Sequence, residues 1–108
     1  MLAISGGAFS ASQCRGVAQT GVASCCGHPF DGRLTANGEV YDMETLTAAH
    51  RTFPFGTALR VVNVANHKTV EVRINDRGPF VQGRIIDLSH VAAQTIAMPG
   101  IANVQLRC

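Results

Sequence analysis

Residues 57 to 75 carry the pattern that most restricts how this chain can fold. "TALRVVNVA" (57–65) and "KTVEVRIN" (68–75) are both rich in β-branched residues, and the second alternates strictly. Val70, Val72 and Ile74 fall on one face, Thr69, Glu71, Arg73 and Asn75 on the other, a period of two that no helix can keep. Between the runs, Asn66-His67 supplies a two-residue turn in which Asn tolerates positive φ, so the stretch predicts a hairpin with one face in a core.

The remaining segments fit around that hairpin. "VAQTGVASCC" (17–26) predicts a first strand, "RIIDLS" (84–89) a short buried strand and "IANVQLRC" (101–108) a last one, with a Gly-, Pro- and Asp-containing loop from Gly27 to Gly38. "DMETLTAAH" (42–50) reads as a short helix, with Asp42 as N-cap, Leu46 and Ala49 as its apolar stripe, and His50 at the C-terminal end that favours a cation. Ser89 is placed to cap a second helix, "HVAAQTIAM", which Pro99-Gly100 ends. Asp87 beside it reads as a cap or helix-dipole partner. Many short strands with two short helices indicate a mostly β barrel, not an α/β sheet.

At 108 residues the chain holds one domain, able to bury about 65% of its unfolded surface. We divide it into residues 1–22, an extension that includes the start of the first strand, and 23–108, the domain proper. Hydrophobic residues at 46% against 15% charged are globular, not disordered, proportions. The net charge is +2, eight of the nine bases are Arg scattered without a run, Trp is absent and Tyr41 is the single Tyr. A nucleic-acid partner is therefore not expected. The opening "MLAISGGAFSASQC" is too short to span a membrane and lacks a basic n-region. It reads either as the trimmed end of an export signal or as a plain extension.

Cys14, Cys25, Cys26 and Cys108 suggest an oxidising compartment, in which thiols pair and reinforce small cores. A bond between adjacent Cys25 and Cys26 would be strained, whereas neighbours on a strand face opposite ways, so Cys14 and Cys108 are each expected to pair with one of the two. His28 lies near Cys26, but the spacings match no zinc pattern, and neither a metal nor an organic cofactor is expected.

For chemistry, Asp76 in "VRINDRGPF" stands first. It has the parity of the apolar face at the point where the strand ends, and partial desolvation favours the protonated form that a general acid needs. An equally good reading is turn chemistry, with Asp76 accepting hydrogen bonds from the residues that follow. Glu39, after an Asn-Gly turn, can stand at a cleft rim or be an ordinary solvated loop carboxylate. His50 can shuttle a proton or serve as a structural hydrogen-bond donor. No Gly-x-Ser-x-Gly elbow exists, and paired cysteines leave no thiol nucleophile. Two carboxylates with a His suit glycoside chemistry.

The stretches "GRLTANGEVYDMETLTAAHRTFPFGTALRVVNVAN" and "VEVRINDRGPFVQGRIIDLSHVAA" together resemble the RlpA-like (rare lipoprotein A) double-psi β-barrel domain of lytic transglycosylases, from about Ala23 to Met98. The resemblance implies a six-stranded double-psi β-barrel with short helices. It implies endolytic cleavage of peptidoglycan between N-acetylmuramic acid and N-acetylglucosamine in peptide-stripped strands, leaving 1,6-anhydro ends without water or cofactor. It places catalytic roles on Asp76, Glu39 and His50 and groove contacts on Thr35, Asn37 and Arg77. The partner would be peptidoglycan glycan, the site of action the bacterial envelope, periplasmic or secreted, with room for a lipid anchor upstream, and the state monomeric. The chain departs from the family's A-S-W-Y-G at Ala23-Ser24-Cys25-Cys26-Gly27. The alternative function is a non-catalytic wall-glycan-binding module, since the barrel is shared with expansin- and barwin-like proteins.

Overall fold

The alternating run folds as expected. In the computed structural model, which describes residues 16–25 and 31–108, β3 (Ala58–Asn63) and β4 (Thr69–Asp76) pair antiparallel, Leu59 opposite Val72 and Val61 opposite Val70. Their connection is longer than two residues, Val64 to Lys68, and the residue at positive φ is His67, not Asn66. Asn66 instead uses its side chain, accepting from Lys68 N and donating to Ile96 O.

Four more strands close the barrel: β1 (Val17–Cys25), β2 (Thr47–Ala49), β5 (Arg84–Leu88) and β6 (Ile101–Arg107), in the order β1-β5-β2-β4-β3-β6. The pairs β1–β5 and β2–β4 are parallel and the other four antiparallel. The six-stranded mostly β barrel is thus the expected one. Inward residues of β3 to β6, among them Leu59, Val72, Ile74, Ile86, Leu88, Val104 and Leu106, fill its interior at 2% exposure or less. Ala92, Ala93 and Ile96 close one side from α1 (His90–Thr95) and the residue after it.

The helix expected over 42–50 does not form. Residues 42–46 make turns, held by Asp42 accepting from Glu44 N and Thr45 N, and Thr47-Ala48-Ala49 become β2, wedged between β4 and β5. All three residues are buried, so the strand shows no alternation to read. One capping expectation changes with it. Ser89 sits at the N-cap of α1 but its hydroxyl donates to Thr45 O, 2.6 Å away, and makes no cap bond. Asp87 lies within β5 and accepts from Ser24 Oγ at 3.1 Å.

One irregularity positions the chemistry. Along β4, Ala48 pairs with Ile74 and Ala49 with Asp76, which leaves Asn75 as an extra residue on β4. Such a bulge bends a strand and re-aims its side chains. Asn75, outward by parity, is consequently buried at 3% exposure, and Asp76 is half-buried. No helix among the described residues is long and apolar enough to cross a membrane.

The expected pairing of Cys108 with Cys25 or Cys26 is not compatible with this topology, because β1 and β6 run antiparallel and place Cys25 and Cys108 at opposite ends. Cys14 and Cys26, the other partners in that expectation, lie outside the described residues.

Candidate active site

A small hairpin meets the bulged end of β4. Its arms are joined by Gly32 N to Tyr41 O, Tyr41 N to Arg33 O and a bridge between Leu34 and Val40, and Gly38, at φ 90°, lets the tip turn back so that its N–H donates to Thr35 O. The tip then docks on β4: Asn37 N donates to Asn75 O, and Ala36 N donates to Asp76 Oδ1 at 2.9 Å. Arg77 N donates to the same oxygen at 2.9 Å. Two backbone donors on one oxygen fix the orientation of the Asp76 carboxylate, which borders a recess between β2, β4 and β5 shared with Tyr41 and Asp87. The turn reading of Asp76 is met in the bond from Arg77 N, the residue that follows it.

Glu39 is brought to the same place but does different work. Arg73, one step back along the outward face of β4, grips it with two parallel bonds of 2.6 and 3.0 Å, and Asn37 and Asn75 each donate one more. The Arg73 and asparagine donors hold its carboxyl at about 2, below the ordinary 4.5, so Glu39 stays ionised and cannot donate a proton at neutral pH. It ties the hairpin tip, which also carries Ala36, to β4. Arg73 and Asn75 were not singled out from sequence; Arg73 is 34 residues from Glu39, and nothing local marks the pair.

His50 directly follows β2 and is buried at 2% exposure. Its Nδ1 accepts from Thr52 N and Phe53 N at 3.1 and 3.0 Å, which assigns the ring proton to Nε2, and Nε2 donates to Gln19 Oε1 at 2.8 Å. The ring also stacks on Phe53 at 3.9 Å. Burial, with Arg51 and Arg77 nearby, lowers its proton affinity to about 4, so the ring is neutral at neutral pH. Both ring nitrogens are thus engaged within the fold. Its backbone still reaches the site, for His50 N donates to Asp76 O.

The three residues expected at a groove also bond within the fold. Thr35, at 6% exposure, donates through its hydroxyl to Asn37 Oδ1, and Asn37 holds Glu39, so both shape the hairpin tip. Arg77 donates to His50 O and Phe53 O and lies over the Phe55 ring at 3.9 Å, clamping the turn after β2. No cluster of three metal-ligating side chains occurs among the described residues. A second depression at the other end of the barrel, lined by Val64, Pro99 and Ile101 among others, has no titratable side chain.

The ion pair makes a direct prediction. Arg73→Met, an exposed outward change, is expected to raise the Glu39 carboxyl from about 2 towards its ordinary value, read by an NMR pH titration of the Glu39 side chain. In the parent a lowered carboxylate contributes stability that is present above 4.5 and lost as the pH falls towards 2; in the variant that acid loss should shrink. A titration still centred near 2 would show that the asparagines hold the charge without Arg73.

The comparisons agree with this architecture. A Streptomyces papain inhibitor has the same fold at a TM-score of 0.61, covering 84% of this chain and 94% of its own, with 18% identity. A probable endolytic peptidoglycan transglycosylase RlpA from Synechocystis is 56% identical over 88 residues, and an endolytic peptidoglycan transglycosylase RlpA from Vibrio cholerae is 50% identical over 94. These alignments take in 80% and 85% of this chain but 27% and 36% of those relatives, so the chain spans about a third or less of their length. The family model described as lytic transglycolase matches residues 18–107, from β1 to the end of β6, and the chain belongs to that family.

Proposed function

We propose that this barrel is an endolytic peptidoglycan transglycosylase domain that cleaves the bond between N-acetylmuramic acid and N-acetylglucosamine in peptide-stripped glycan strands. The observation that carries the reading is the oriented, half-buried Asp76 at the end of β4, bordering a recess, in a chain about 50% identical to proteins named for that activity. In the proposed reaction Asp76 gives its proton to the leaving glycosidic oxygen as the bond to the anomeric carbon breaks. The muramoyl 6-hydroxyl then adds to that carbon and passes its proton back to Asp76, so the acid is regenerated, no water is consumed and a 1,6-anhydro end remains. Glu39 and His50 act as positioning residues, Glu39 through the hairpin tip and His50 through the turn that Arg77 clamps.

The same reading places the protein in the bacterial cell envelope, periplasmic or secreted, as a monomer with its cysteines paired. Digestion of intact and amidase-stripped sacculi, followed by mass spectrometry, tests it. Anhydro-muramoyl products from the stripped material are expected; binding without product across a range of pH would replace the enzyme with a wall-binding module.

A further inference from the structure

We propose that the four cysteines form two disulfides that follow the ends of β1: Cys14 with Cys108 at one end, and the adjacent Cys25 and Cys26 with each other at the other. Neither Cys25 nor Cys108 is a free thiol. β1 and β6 are antiparallel, with Val17 opposite Arg107 and Ser24 opposite Ile101. Cys108 is therefore at the Val17 end, where its N–H donates to Gly16 O at 3.2 Å, and Cys25 closes the opposite end of the nine-residue strand.

Reach decides the pairing. From Val17 to Cys25 the strand rises roughly 26 Å at about 3.3 Å per residue. A disulfide joins Cα atoms no more than about 6.8 Å apart. Cys108 cannot reach Cys25, and Cys26, one peptide further at about 3.8 Å, does not close the gap. Cys14 is two residues from Gly16, hence within about 7.6 Å of it even fully extended. Adding the span of a disulfide takes Cys14 to roughly 14 Å from Gly16, well short of Cys25. Each described cysteine is left with one partner within covalent reach.

The two bonds differ in chemistry. Consecutive Cα atoms stand about 3.8 Å apart, inside the roughly 4.4 Å lower limit of ordinary disulfides, so the Cys25–Cys26 ring is the strained and more easily reduced of the two. It also lies beside the candidate site: Cys25 is in register with Leu88, and Ser24 donates to Asp87, both residues of the recess. A dithiol opens it by exchange, supplying two electrons and two protons and leaving as its own disulfide. That step opens a ring closed within two adjacent residues next to the recess, whereas the Cys14–Cys108 bond is the one that ties separate parts of the chain together.

Peptide mapping of the oxidised protein, alkylated without reduction and cut with trypsin after Arg15, Arg33 and Arg107, separates the possibilities. The proposal requires peptide 16–33 to appear alone, two hydrogens lighter than its dithiol and unalkylated, and peptide 1–15 to carry Cys108. A cross-link from 16–33 to either other cysteine, or alkylated Cys25 and Cys26, would overturn it. In a stepwise titration with dithiothreitol, Cys25 and Cys26 should become alkylatable at a lower concentration than Cys14 and Cys108; the reverse order, or loss of both bonds together, would overturn the assignment of the labile bond.

Discussion

Asp76→Asn should lower the rate of anhydro-muramoyl product formation by on the order of 10²- to 10⁴-fold, the usual contribution of a positioned general acid. The substitution separates chemistry from architecture. An asparagine side-chain oxygen can still accept from Ala36 N and Arg77 N, so the hairpin tip should remain docked on β4 and the melting temperature should move little. What is lost is the proton for the leaving oxygen and the base that takes it back. Asp76→Ala removes both functions, leaves those two backbone donors without their acceptor, and should therefore destabilise as well as inactivate. Product formation by Asp76→Asn at the parent's rate, measured on amidase-stripped sacculi, would remove Asp76 from the reaction. Because the two variants differ in stability but not in proton transfer, equal inactivity with unequal melting points is the pattern that assigns the residue to chemistry.

What the sequence made legible was set by how far each feature reaches along the chain. The β3–β4 hairpin was readable because its alternation is local and one face is buried. β2 was not, since three small buried residues between two other strands carry neither a period nor a bulky β-branched run, and the segment's few apolar residues imitated a helix stripe. That error carried His50 with it. Placed at a helix end it invited a charged reading; placed after β2 and buried against Phe53, it is neutral and bonded to Gln19, 31 residues earlier. The place of Asp76 at the end of a strand was legible because strand parity and a Gly-Pro break are both local signals. The neighbours that orient it were not. The Asn75 bulge exists only in the register between β4 and β2, and the docking of Ala36 on Asp76 spans 40 residues. Resemblance supplied Glu39 and His50 as candidates, yet their bonding partners, Arg73 for one and Gln19 for the other, lie 34 and 31 residues away and leave no local mark.

The sequestered His50 should make the barrel acid-labile in a particular window. Its folded-state proton affinity is lowered from 6.5 to about 4 by burial and by Arg51 and Arg77, so between those values the unfolded chain binds more protons than the folded one. Stability is then fully present above 6.5 and declines as the pH falls towards 4, by about 3 kcal/mol in total if each unit contributes about 1.36 kcal/mol. The structural cause is specific: a proton on Nδ1 displaces the bonds from Thr52 N and Phe53 N, and the turn that Arg77 grips loses its anchor. Denaturant midpoints measured from pH 7 to pH 4 should show the loss. His50→Asn tests the cause, because an amide oxygen can accept from the same two N–H groups without titrating. The variant should be less stable than the parent at pH 7, having lost the Gln19 bond and the stack on Phe53, but its stability should change much less between pH 6.5 and 4.5. The Glu39 contribution falls in the lower window, below 4.5, so the two groups are separable by where along the titration stability is lost. A parent whose stability is flat from pH 6.5 to 4.5, or a His50→Asn variant that declines as steeply, would show that protonation of this ring is not what loosens the fold.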